Sequence, residues 1–187
     1  MRGRYVAALG ISIAVAVVEI YGGIRAQSIG LVADALHAGT DSLAMGVALV
    51  AHHTRRELRG ATINGALLLA ITAAIACGAV ERLLHPLHPQ GVPMAAVSAF
   101  ALAGNLAAGY FLLHGARQSI NARSALFHVI GDAFGSFAVL VAGVLVAWTQ
   151  RAWLDPAFSL VVCAIVVAGV VSLLREARSA VEKKPPS

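Results

Sequence analysis

Five stretches of this 187-residue chain are apolar and nearly free of charge for about twenty residues each, roughly the length a helix needs to cross the hydrocarbon core of a bilayer. A sixth is as long but interrupted by acids. Together they predict helices over residues 5–24, 29–51, 60–80, 92–114, 124–148 and 154–174. With 59% hydrophobic and 12% charged residues, the chain is too apolar for a soluble domain of its size. The expected fold class is therefore all-α and integral to a membrane: six transmembrane helices in one domain, residues 1–176. A short basic tail, 177–187, ends in Lys183-Lys184-Pro185-Pro186-Ser187 and reads as disordered. The first apolar run has no small-residue cleavage site after a short core and stays as a helix. Cys77 and Cys163 both fall inside apolar spans, which argues against a disulfide framework.

The net charge of +5 does not point to nucleic acid, because the basic residues are sorted by side. Eleven of the fourteen Lys and Arg precede helix 1, join helices 2 and 3 or 4 and 5, or follow helix 6. The opposite side holds only Arg25, Arg82 and Arg151. The positive-inside rule then places both termini in the cytoplasm and the protein in the cell (inner) membrane as a multi-pass chain. Tyr21, Trp148 and Trp153 fall at the outer interface, where amphipathic rings anchor a span.

Helix 2 carries His37 and Asp41, and helix 5 carries His128 and Asp132, each pair four residues apart and so on one helical face. An acid at mid-span costs about 2.5 to 3.5 kcal/mol even on the lenient insertion scale, so each pair is expected to face the bundle interior or a wet cavity. The two pairs coincide when the sequence is laid on itself, Ala35-Leu36-His37 over Leu126-Phe127-His128, an offset of three spans. Copies separated by an odd number of spans are inverted, so the chain reads as two inverted three-helix halves, a recurrent transporter design with its site near the midplane. Antiparallel helices 2 and 5 bring two imidazoles and two carboxylates together. That N2O2 set suits tetrahedral Zn²⁺ and offsets its charge, and fits Mg²⁺ poorly.

Other polar residues have two readings each. Asp34 lies on the stripe of His37 and Asp41, either as a relay on an ion or proton path or as a hydrated acid at the interface. Glu19, in the outer half of helix 1, is either an interhelical hydrogen-bond partner or part of the same path. Asn64 and Asn105 read as hydrogen bonds between helices, and Gly131 and Gly135 as a small-residue strip for close packing. His52 and His53, at the cytoplasmic end of helix 2, are either metal-recruiting or simply solvated.

These residues resemble the cation diffusion facilitator family, zinc-transporter branch, over almost the whole chain. Ser28-Ile29-Gly30-Leu31-Val32-Ala33-Asp34-Ala35-Leu36-His37 followed by Asp41 is similar to the family's helix 2 pattern. The helix 5 stretch from Asn121 and Arg123 through His128, Gly131, Asp132 and Gly135 to Ser136 resembles its signature nearly position by position, and Asp155-Pro156 also matches. The resemblance covers the transmembrane part, without the cytoplasmic domain that usually follows helix 6, and lacks the aromatic-Gly segment before Arg55. It implies export of divalent metal by alternating access, as a homodimer exchanging metal for protons, with His37, Asp41, His128 and Asp132 as the transport site.

The functional expectation is a secondary transporter and not an enzyme. Zn²⁺ is its transported substrate, with Cd²⁺, Co²⁺ or Fe²⁺ as alternatives, and it needs no separate cofactor; its partners are metal ions, protons, the lipid bilayer and a second copy. Two rivals are an intramembrane metalloenzyme and a non-transporting metal-binding or regulatory subunit. The first lacks a nucleophile motif and an open coordination position.

Overall fold

A computed structural model describes the backbone of residues 2–50, 57–116 and 120–182 and, within these, the side chains of residues 3, 4, 6–40, 66–113, 126 and 129–168. It contains α1 (Arg2–Ala26), α2 (Ile29–Val50), α3 (Glu57–Leu84), α4 (Gly91–Ala116), α5 (Ile120–Thr149) and α6 (Leu154–Glu182), with no strand among the described residues. Each helix forms around one of the six apolar runs. Helix α6 continues past residue 174 to Glu182 because the sequence there, Arg-Glu-Ala-Arg-Ser-Ala-Val-Glu, is rich in good helix formers and has no Gly or Pro.

Windows long and apolar enough to cross a membrane occur at Val6–Ala26, Ala66–Leu84, Gly91–Leu113 and Val129–Thr149, with a shorter apolar helix at Leu154–Ala168. Large hydrophobes such as Leu106, Phe134 and Ile165 point outward, whereas Glu19, Asp34, Asn105 and Asp132 are buried. Acids inside and hydrocarbon outside is the polarity a bilayer imposes.

The chain reverses after α1 in two residues. Gln27 takes a left-handed conformation (φ 56°), the Ser28 N–H donates to the Gly23 carbonyl at 2.9 Å, and the Gln27 N–H donates to that of Ile24 at 3.3 Å. This is the doubly bonded helix stop that satisfies carbonyls left over at a C-terminus. Ser28 then serves as N-cap of α2, its Oγ accepting from the Leu31 N–H at 3.2 Å. The Ala26 carbonyl, at the end of α1, accepts from the Gln90 N–H at 2.9 Å, and an Arg82 guanidinium N–H donates to the Gln27 carbonyl. The connections after α1, α3 and α5 therefore gather at one end of the molecule. Tyr21, Trp148 and Trp153 are exposed there, with Arg25 5.6 Å above the Tyr21 ring.

Helices α1, α2, α4 and α5 form a bundle, and α3 pairs with α6 beside it, against α2 and α5. Packing between α4 and α5 is the most extensive and is nearly backbone on backbone. A Cβ placed at Gly91 would strike the Ala147 and Gly143 backbone, and one at Gly143 the Ala95 backbone. Such contacts are how apolar helices associate in a solvent that supplies no hydrophobic drive.

Two apolar layers cross the bundle. One, near the α1–α2 turn, is Ala26, Leu31, Met94, Val139 and Ala142, flanked by Val97 and Phe158. The other, toward the opposite end, is Ala8, Ala108, Leu112 and Val129, flanked by Ile11 and Leu126. Between them lie Ser12, Glu19, Asp34, Asn105, Asp132 and Ser136, all 3% exposed or less.

Candidate metal centre

The polar layer is organised by the contact of α2 with α5. Because α2 starts and α5 ends at the same end of the molecule, the two are antiparallel. They meet at Gly135, where a Cβ would collide with the Asp34 carboxylate. Glycine at 135 is what lets Asp34 dock on α5. The Asp34 Oδ2 accepts from the Ser136 hydroxyl at 2.8 Å, and that hydroxyl accepts from the Asn105 Nδ2 at 3.1 Å, so a hydrogen-bonded line runs from α4 through α5 to α2. Asp34 is buried, 2% exposed. Asn105 makes the interhelical bond expected of it.

Glu19 closes the line from α1. It is fully buried, its carboxyl lies against that of Asp34 and within electrostatic reach of Asp132, and neither of its oxygens meets hydrogen-bond geometry with a described residue. No basic side chain takes part in this layer among the described residues. The charges facing one another are carboxylates, with the imidazole of His37 near Asp34.

His37 is one turn beyond Asp34 on α2. It also lines a small cavity between α2, α3 and α6, together with Thr72 and Cys163. Asp132, one turn from Ser136 on α5, is 3% exposed. The Asp34–Gly135 contact and the Ser136–Asp34 hydrogen bond join α2 to α5 about one turn from His37 on the one helix and from Asp132 on the other. The side chains of Asp41 and His128, and those of Asn64, His52 and His53, lie outside the described residues. Among the described residues, no three His, Cys, Asp or Glu gather around one point. Cys77 and Cys163 are both free thiols.

Two contributors escaped the sequence reading. Ser136 is part of the helix 5 pattern and four residues after Asp132, a spacing that marks the same face, but its role as donor to Asp34 was not legible without the partner helix. Asp155 is 1% exposed and grips the start of α2. A charged residue at the end of an apolar run is ordinarily solvated, so nothing local announced that contact.

Apolar helices enclosing a layer of carboxylates mark a multi-pass membrane protein. The chain belongs to the cation efflux family: the model of that family's transmembrane domain matches residues 5–180. It is 36% identical to the zinc transporter ZitB of Pectobacterium atrosepticum, over 92% of this chain and 59% of that protein. It is 32% identical to ZitB of Escherichia coli, over 92% of this chain and 60% of the relative. A cadmium, cobalt and zinc/H(+)-K(+) antiporter of Bacillus velezensis is 32% identical, over 81% of this chain and 53% of the antiporter. The chain thus spans at most about three fifths of the length of these relatives.

Proposed function

We propose that this protein exports divalent transition-metal cations, Zn²⁺ foremost, from the cytoplasm in exchange for protons, and that His37, Asp41, His128 and Asp132 hold the ion in transit. The observation that carries this reading is the docking of Asp34 on Gly135. It joins α2 and α5, the helices that carry the two His-x-x-x-Asp motifs, about one turn from His37 and from Asp132. Two imidazoles and two carboxylates make a tetrahedral donor set that neutralises a divalent ion and selects against hard cations. The names of the relatives, zinc transporters and a cadmium, cobalt and zinc antiporter, support the same substrate class and a transporter in place of an enzyme.

The basic residues sorted to one side favour cytoplasmic termini and the cytoplasmic membrane, so the end carrying the α1–α2 turn faces outward. Metal enters from the cytoplasmic side and displaces protons from its ligands. It leaves outward when the bundle rocks and protons return. Ligands must be deprotonated to bind metal, so competition at the same atoms links the two fluxes, with the imidazoles titrating nearest neutrality. Asp34 and Glu19 extend the site outward as a path for protons or metal. A homodimer is the working assembly, and His52 and His53 are candidates for recruiting metal at the cytoplasmic mouth.

The test uses proteoliposomes loaded with a zinc-sensitive dye under an imposed pH gradient. The expected result is gradient-driven Zn²⁺ flux that Asp132→Ala reduces to background. Wild-type protein without proton-linked flux, or Asp132→Ala transporting as well as wild type, would sink the reading.

A further inference from the structure

The helix that carries His37 and Asp41 is held at its first turn by a residue from the other end of the chain. Asp155, in the first turn of α6, accepts from the Ser28 hydroxyl at 2.7 Å and the Gly30 N–H at 3.1 Å through Oδ1, and from the Ile29 N–H at 2.8 Å through Oδ2. These amides belong to the group that a helix start leaves without intrahelical partners, and a carboxylate there also meets the positive end of the helix dipole. Stability of α2 alone does not call for it, since Ser28 already caps the helix locally.

What the distant carboxylate adds is position. Two oxygens on three donors fix both the rotation of α2 and its height against α6. The fit is close: a Cβ at Gly30 would lie 2.8 Å from the Asp155 Oδ1 and 3.3 Å from the Ser159 Oγ, and Ser159 is itself held by donating to the Asp155 carbonyl at 2.8 Å. Arg82 of α3 grips the Gln27 carbonyl next door, so both members of the α3–α6 pair seize the same two-residue turn. From Gly30 the helix runs unbroken to His37, about two turns or 10 Å away, short enough for a shift at the grip to arrive undiminished.

We propose that Asp155 is a positioning residue for transport, setting the register of α2 on α6 and thereby the placement of His37 and Asp41 in the metal site. The proposal rests on those two residues being ligands. Metal–ligand distances tolerate only about 0.2 Å, so a displaced α2 weakens metal binding before it stops the transport cycle.

The experiment measures Zn²⁺ flux against Zn²⁺ concentration for the full chain in proteoliposomes, normalised to folded protein. The variants are Asp155→Ala, Asp155→Asn and Gly30→Ala, with Val146→Ala as a destabilised control whose side chain is buried in α5 and takes no part in the hydrogen bonds of Asp155. Outer-shell partners of metal ligands typically cost 10- to 100-fold in affinity, so we expect KM for Zn²⁺ to rise about tenfold in Asp155→Ala and Gly30→Ala and less in Asp155→Asn. Turnover per folded protein stays within about twofold, and the Zn²⁺ to Cd²⁺ preference shifts toward the larger ion as the donor set loosens. The control lowers the melting temperature and leaves KM alone. A lower melting temperature with unchanged KM in Asp155→Ala and Gly30→Ala would reduce Asp155 to a helix cap and overturn the proposal. Should Asp155→Ala not fold, Gly30→Ala, which keeps the carboxylate and only displaces it, decides by the same reading. His37→Ala run alongside separates the two failures: wild-type KM in that variant removes the ligand reading and the proposal with it, whereas loss of binding there with unchanged KM in the Asp155 and Gly30 variants removes the proposal alone.

Discussion

Two buried carboxylates in this molecule have opposite surroundings. Asp155 sits where helices meet at the α1–α2 turn, its oxygens shared among a hydroxyl and two backbone amides. Glu19, in the polar layer, is equally hidden, and the group it faces is another carboxyl, that of Asp34. Burying a charge is costly in both places, and in the first the fold compensates with fixed donors. In the second, no backbone amide or hydroxyl among the described residues donates to the carboxyl. An acid held by fixed donors serves architecture, whereas one set against another acid, with no basic side chain in the layer among the described residues, has the surroundings that mark a candidate proton- or cation-handling group.

Breaking that contrast is straightforward. The largest effect is expected from Glu19→Gln, which keeps shape and adds a donor toward Asp34. Flux should fall by about tenfold or more while the melting temperature in detergent holds or rises, because an uncompensated buried acid has been removed. A melting temperature that drops along with flux would make Glu19 architectural, like Asp155. Next comes Gly135→Ala, whose methyl displaces the Asp34 carboxylate from α5. Overpacking of this kind costs about 1 to 3 kcal/mol, and both thermal stability and flux should decline. Asp155→Ala should lower stability by about 3 kcal/mol, read as a lost transition midpoint in thermal unfolding, since two amides and a hydroxyl lose their acceptor. The smallest change belongs to Asn105→Ala. A single interhelical hydrogen bond inside a membrane protein averages about 0.6 kcal/mol, so flux and stability should shift by no more than two- to threefold in equilibrium terms.

The six helices were legible because apolar runs of bilayer length admit no other regular structure when backbone groups must satisfy themselves. Their ends were less so. Helix α6 passes its expected limit because charged residues signal the edge of the hydrocarbon, not the end of a helix. Spacing alone put His37 and Asp41, and His128 and Asp132, on common faces, and the contact of Asp34 with Gly135 adds that the two helices meet beside those motifs. Asp34 itself stayed ambiguous in sequence, as a helical stripe does not say whether water or another helix lies opposite. The grip of Asp155 was beyond reach for a simpler reason: its partners are 125 to 127 residues away, and no local pattern encodes a pairing at that separation.

The two-residue turn after α1 bears on how the protein gets into its membrane. With Gln27 left-handed and Ser28 already capping the next helix, α1 and α2 have no slack to be threaded one at a time. Helix α2, carrying Asp34 and Asp41, is a poor candidate for insertion alone, whereas the first helix is strongly apolar over Val6–Ala26. Biogenesis then favours delivery of the pair as a single hairpin, with the first arm drawing its partner, which carries two acids, into the lipid. A few flexible residues added at that turn would uncouple the arms and show up first as reduced yield in the membrane, before any loss of activity per molecule.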